Sequence, residues 1–157
     1  MKTCLRTSSC LRRGPSSARA RAASLIDDHA LRPWGRPLHL LDSITEAAAL
    51  GPGAVVVSGS HGGLSAARFA LQALPYLAVF NDAGIGKDGA GIAALPWLQQ
   101  HGIAALAVTH DSARIGEAQS TWQDGVISAV NDAAAALGAR PGLALRPWLQ
   151  AAALSAA

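Results

Sequence analysis

Apolar and polar positions alternate along this chain in blocks rather than singly. Four short apolar runs stand out: 37–41, 54–57, 77–80 and 103–109. Ala54-Val55-Val56-Val57 is β-branched and carries no polar position, the mark of a strand covered on both faces. Leu77-Ala78-Val79-Phe80 and the run from Ile103 to Thr109 read the same way, and Pro37-Leu38-His39-Leu40-Leu41 reads as a shorter first strand.

Between the runs lie stretches of helical period. Ser43-Ile44-Thr45-Glu46 is a capping box and opens a helix through Leu50, which Gly51-Pro52-Gly53 stops. Ser65 is placed to cap a helix ending at Leu74, before Pro75. A third helix is expected over 88–100, bent near Pro96. A long one is expected over 119–137, with Val126, Ile127, Val130, Ala134 and Leu137 on its apolar face and Gly138 as its stop. Asp124, Ser128 and Asn131 share another face of it, assigned to solvent. Pro147 suits the first turn of a last helix carrying Trp148, Leu149 and Leu154. No internal repeat is present.

Strands alternating with helices predict an α/β fold: a small three-layer α/β/α domain on a three- or four-stranded, mainly parallel sheet. A sheet that small has exposed edges, so self-association into a homo-oligomer is a further expectation.

Composition changes this picture in two places. Half the 157 residues are hydrophobic but only 4% are aromatic, so the core has to be built from Ala, Val, Leu and Ile. The net charge of +3 is unevenly spread. Lys2, Arg6, Arg12, Arg13, Arg19 and Arg21 precede the first acid. Residues 1–24 therefore read as a disordered basic extension or an organellar transit peptide, and residues 25–157 as a single domain whose net charge is negative. Basic residues do not cluster within the domain, which argues against a nucleic-acid partner. No apolar run approaches the roughly 18 residues that cross a bilayer, so no membrane partner is expected. Cys4 and Cys10 both fall in the extension without a CxxC motif, which argues against a disulfide framework or structural zinc and fits a cytoplasmic setting.

Chemistry concentrates after the strands. The first loop is Ser58-Gly59-Ser60-His61-Gly62-Gly63, the second Asn81-Asp82-Ala83-Gly84-Ile85-Gly86-Lys87-Asp88, the third His110-Asp111-Ser112-Ala113-Arg114. In a parallel sheet these three loops share the carboxyl edge, where open α/β sheets bind ligands. The glycines and hydroxyls of Ser58, Gly59, Ser60 and Gly62, ahead of a helix, suit a phosphate, a carboxylate or an oxyanion. Ser-Gly-Ser followed by a Ser-Ala helix is similar to the phosphate-binding loop of the pyruvate kinase C-terminal domain, over fewer than a dozen residues. A tight strand-to-helix turn explains the same residues. GxSxG is absent, so a serine hydrolase elbow is not indicated.

Gly84-Ile85-Gly86-Lys87-Asp88-Gly89 resembles a dinucleotide fingerprint, with Asp111 as the ribose acid. Asp82 and Asp88 set negative charge against a pyrophosphate there. Asp82, His110, Asp111 and His61 also have the chemical types for a divalent metal, so both metal and cofactor stay open. The reading that joins most of these residues is an enzyme acting on a polar, anionic small molecule. In it Asp82, His110 and His61 are the proton-transfer candidates. Asn81, Asp111 and Ser112 line the site, and Lys87 and Arg114 neutralise charge. Hydrolysis, isomerisation and lyase chemistry all fit. A non-catalytic metabolite-binding module and a nucleotide-cofactor protein are the alternatives.

Overall fold

The computed structural model describes residues 30–156, so the basic extension and its boundary lie outside the described residues. Five strands form one sheet in the order β1 (Leu38–Leu41), β2 (Val55–His61), β3 (Leu77–Asn81), β4 (Ala104–Val108), β5 (Ile127–Val130). The first four run parallel, and β5 pairs antiparallel with β4. The helices are α1 (Leu64–Ala73), α2 (Ala94–Gln100), α3 (Ala118–Asp124), α4 (Asp132–Ala136) and α5 (Leu145–Ser155).

The period of two along each strand divides the core into two sheets of side chains. Val56, Ala78, Phe80, Ala105 and Ala107 meet Ile44 and Ala47 of the first connection, the alanines of α1, and Ala94, Leu95 and Leu98 of α2. Val55, Val57, Leu77, Val79, Leu106 and Val108 meet Trp122 of α3 and Leu145 and Leu149 of α5. α1 buries Ala66, Ala67, Ala70 and Ala73. Small side chains bring its backbone close to the sheet, which suits a core with few aromatics. Phe80 and Trp122 are the large fully buried exceptions. Burying each contributes about 1.5–3 kcal/mol or more relative to exposure.

The sequential strand order fixes which face each connection takes. Parallel crossovers are right-handed, so strands added always in the same direction put their connections on one face. The connections β1–β2, β2–β3 and β3–β4 accordingly pack on the first face. After β4 the chain crosses the carboxyl edge to the second face, lays α3 there, and returns as β5. The connections after β3 and after β4 thus diverge to opposite faces, which opens a crevice at the carboxyl ends of those two strands.

The structure differs from the sequence pattern in identifiable ways. The sheet has five strands, not three or four, because residues 119–137 are not one helix. α3 stops at Gly125, where a Cβ would collide with the Thr121 carbonyl. The β-branched segment beyond it pairs as β5, and Asn131 caps α4 through the Ala134 N–H. Pro96 does not bend a helix: it sits in the first turn of α2, where its missing N–H costs nothing. A 3-10 segment, Lys87–Ile92, occupies the expected first half of that helix. Gly63, not Ser65, is the N-cap of α1. The capping box at Ser43 and Glu46 is present, closing a 3-10 segment, Ile44–Ala49. Among the described residues no helix is long and apolar enough to cross a membrane.

Candidate functional site

Asp82 follows β3 directly, and its N–H donates to the carbonyl of Val108 at the end of β4 (2.8 Å). This places its carboxylate between the two diverging connections. One oxygen, Oδ1, receives the N–H of Gly84 (2.9 Å), the N–H of His110 (2.9 Å) and Nδ1 of the His110 ring (3.1 Å). The side chain is 5% exposed. Burial pushes the carboxyl upward, but the Gly84 N–H, the Ser128 hydroxyl and both His110 donors outweigh it. The group is held below the usual aspartate value and stays charged.

His110 is half exposed, so one ring nitrogen is fixed from beneath while the other faces outward. That outer atom, Nε2, lies 3.3 Å from Oδ1 of the exposed Asp111. The backbone of Gly84 flanks the ring; a Cβ there would touch it at 3.7 Å. The imidazole is thereby held by a carboxylate below and a backbone beside it, with the exposed Asp111 side chain near its outer nitrogen.

Around this ring opens a crevice of about 550 Å³, lined by Asn81, Ala83, His110, Asp111, Ser112, Ala113, Arg114, Ile115, Ser120 and Asp124. Two of its polar residues serve as framework. Asn81 is buried, donating to the Ala113 carbonyl (3.0 Å) and accepting from the Ala83 N–H (2.9 Å). Ser112 donates to the Thr109 carbonyl and accepts from the Val126 N–H, both at 2.9 Å. Arg114 is held by its backbone, which donates to the Ser120 hydroxyl (3.0 Å), while its guanidinium reaches Glu117 only at 3.9 Å.

The structure therefore brings Asn81, Asp82, His110, Asp111, Ser112 and Arg114 together. It does not bring the residues read as the first loop to them, and Ser58, Gly59, Ser60 and His61 are not a loop but the last residues of β2. The Ser58 hydroxyl is buried and donates to the Val79 carbonyl (2.8 Å). Ser60 accepts from the Ile44 N–H (2.9 Å). Gly59 receives the Gly116 N–H and lies so close to Gly116 and Glu117 that no side chain fits. The Gly62 N–H donates to the Asn81 carbonyl (3.0 Å). The exposed His61 accepts the Gly63 N–H on Nδ1 (3.0 Å), and neither it nor Lys87 lines the crevice.

Among the described residues no three His, Cys, Asp or Glu side chains converge as a metal site. The glycine-rich second loop has left-handed backbone at Gly84, Gly86 and Gly89, but it leads into the 3-10 segment, and α2 begins only at Ala94. The helix N-terminus that holds a pyrophosphate in a dinucleotide fold does not follow the glycines here.

Asp124, Ser128 and Asn131, read from sequence as one solvated helix face, part company: Asp124 lines the crevice beside Ser120, Ser128 reaches Asp82, and Asn131 is buried. The signal was there: Ser120 and Asp124 stand four apart on α3, one turn over the other. No protein-family model, curated protein or solved structure matches this chain.

Proposed function

We propose that the chain is a small-molecule enzyme in which His110 moves a proton to or from a polar metabolite held in the crevice between the loops after β3 and β4. The observation that carries this reading is the Asp82–His110 pair. A buried carboxylate that is already charged selects the tautomer with the proton on Nδ1 and leaves Nε2 bare for the substrate. It also stabilises the imidazolium that forms when Nε2 accepts a proton. Arg114, at the crevice wall and only loosely paired, is the group to receive an anionic part of the substrate. Substrate entering the crevice displaces Asp111 from Nε2.

A thermal-shift screen of organic acids, amino compounds, phosphates and nucleotides identifies the ligand class, because a ligand that prefers the folded state raises its stability. Turnover of the compounds that bind is then measured. His110→Gln is expected to lower kcat by about 10²–10⁴-fold while leaving binding in place. Unchanged turnover in His110→Gln would overturn the proposal. Ligands that bind at the crevice without any turnover would instead make it a metabolite-binding module.

A further inference from the structure

Resting on the reading of the crevice as a substrate site, we infer that its ligand is a small zwitterion carrying both an ammonium and a carboxylate, the amino-acid class. Some polar groups in the crevice already have partners within the fold, and others do not. Asn81 and Ser112 have internal partners at their donors and acceptors. Asp82 lies beneath the ring, its Oδ1 taken by three hydrogen bonds. What remains on the walls is one guanidinium and two carboxylates.

Arg114 is exposed, with Glu117 at 3.9 Å as its ion-pair partner, beyond hydrogen-bond length. Asp124 lines the same crevice from α3, and among the described residues its carboxylate has no ion pair or hydrogen bond. Asp111 contacts His110 through one oxygen and leaves the other open. A purely anionic ligand would pair with Arg114 but bring its charge beside two carboxylates, and a purely cationic one would leave the guanidinium unused. A ligand bearing both charges satisfies the walls together. A crevice of about 550 Å³ has room for a molecule of amino-acid size.

The test is a titration of isotope-labelled protein with three probes of equal chain length: norvaline, pentanoate and pentylamine. The His110 ring and the amides of residues 110–124 report binding. Norvaline is expected to bind about tenfold or more tighter than either single-charge probe. Asp124→Asn should remove its advantage over pentanoate, and Arg114→Gln its advantage over pentylamine. Both side chains are exposed, so both variants should keep the wild-type spectrum elsewhere. Pentanoate or pentylamine shifting the His110 signals as strongly as norvaline overturns the zwitterion and leaves the crevice intact as a site. Absence of any shift at residues 110–124 with all three probes also overturns the zwitterion. The fate of the proton-transfer reading is decided separately, by the turnover of His110→Gln.

Discussion

Asp82 Oδ1 receives His110 twice, once from the backbone N–H at 2.9 Å and once from ring Nδ1 at 3.1 Å. The two residues are 28 apart in sequence and belong to connections that leave the sheet on opposite faces. A single carboxylate oxygen thus holds the crevice together and orients its ring. Structural and chemical roles cannot be separated at Asp82 by loss of activity alone, but they can be separated by the ring's proton.

In the wild type the neutral ring should carry its proton on Nδ1, facing the carboxylate. Asp82→Asn offers an amide that can present either an oxygen or an N–H, so the preference should weaken. Nitrogen chemical shifts of His110 read the tautomer directly. We expect a mixed population in Asp82→Asn and a fall in kcat of about 10²–10⁴-fold on any substrate the screen supplies. A ring that keeps the Nδ1 proton in Asp82→Asn would remove Asp82 from the orienting role.

Asp82 should also tie stability to pH. Its carboxyl in the folded chain lies below the usual aspartate value, because four hydrogen bonds outweigh burial. The unfolded chain therefore binds this proton more readily. The stabilisation is present above the ordinary aspartate range and is lost as pH falls through the folded value. Urea unfolding of wild type and Asp82→Asn should differ by about 1–3 kcal/mol near neutral pH. The gap should shrink below about pH 4. A gap that stays constant across that range would mean that the charge of Asp82 contributes nothing.

Much of this was legible in the sequence, for reasons tied to particular residues. Val55–Val57 of β2, Leu77–Phe80 of β3 and all of β4 are apolar without interruption, and only strands covered on both faces read that way. Where those apolar runs end was legible, but Ser58–His61 continue β2 and Asn81 closes β3 instead of opening loops. The direction of each connection was not legible. His61 and His110 look equivalent as loop histidines, but one ends β2, whose connection stays on the first face, and the other follows β4, whose connection crosses over. The crossing opens the crevice beside His110. The hydroxyls of Ser58 and Ser60 were ambiguous for a similar reason: a serine at a strand end serves an internal carbonyl or N–H as well as it serves an anion. β5 was hidden because Val126, Ile127 and Val130 satisfy helical spacing and strand composition together.

Gly59 shows how closely the third loop depends on the end of β2. The loop that carries His110 and Arg114 passes over the end of β2, where Gly116 donates to the Gly59 carbonyl at 2.6 Å. A Cβ on Gly59 would lie 2.5 Å from the Glu117 nitrogen and 2.6 Å from the Gly116 carbonyl carbon. Both are backbone atoms and cannot rotate away. Gly59→Ala should therefore lift the loop, destabilise the fold by about 1–3 kcal/mol, and shift amide signals as far as Arg114. Wild-type stability and an unchanged spectrum would show that the loop is not held by this approach.

The largest single loss should come from Asn131, outside the crevice. It is 7% exposed and sits at the end of β5. Its Oδ1 accepts from the N–H groups of Ala105 (3.1 Å) and Ala134 (2.9 Å), and its Nδ2 donates to the carbonyls of Leu95 (3.2 Å) and Ile103 (2.9 Å). One amide thus joins β4, α2 and α4, using both donors and both acceptor sites. Removing it leaves four backbone groups without their partner, each costing about 1–3 kcal/mol where water cannot reach. Local relaxation and water entry from a groove lined by Leu95, Pro96, Asn131 and Asp132 will recover part of that, so Asn131→Ala should cost about 3–5 kcal/mol in urea unfolding. Asn131→Asp keeps the shape and the acceptors but loses both donors and adds a buried charge. It should be comparably destabilising at neutral pH and partly recover as the carboxyl is protonated. A cost below about 1 kcal/mol for both variants would mean that the antiparallel strand and α4 are held by their apolar contacts, with the amide as a passenger.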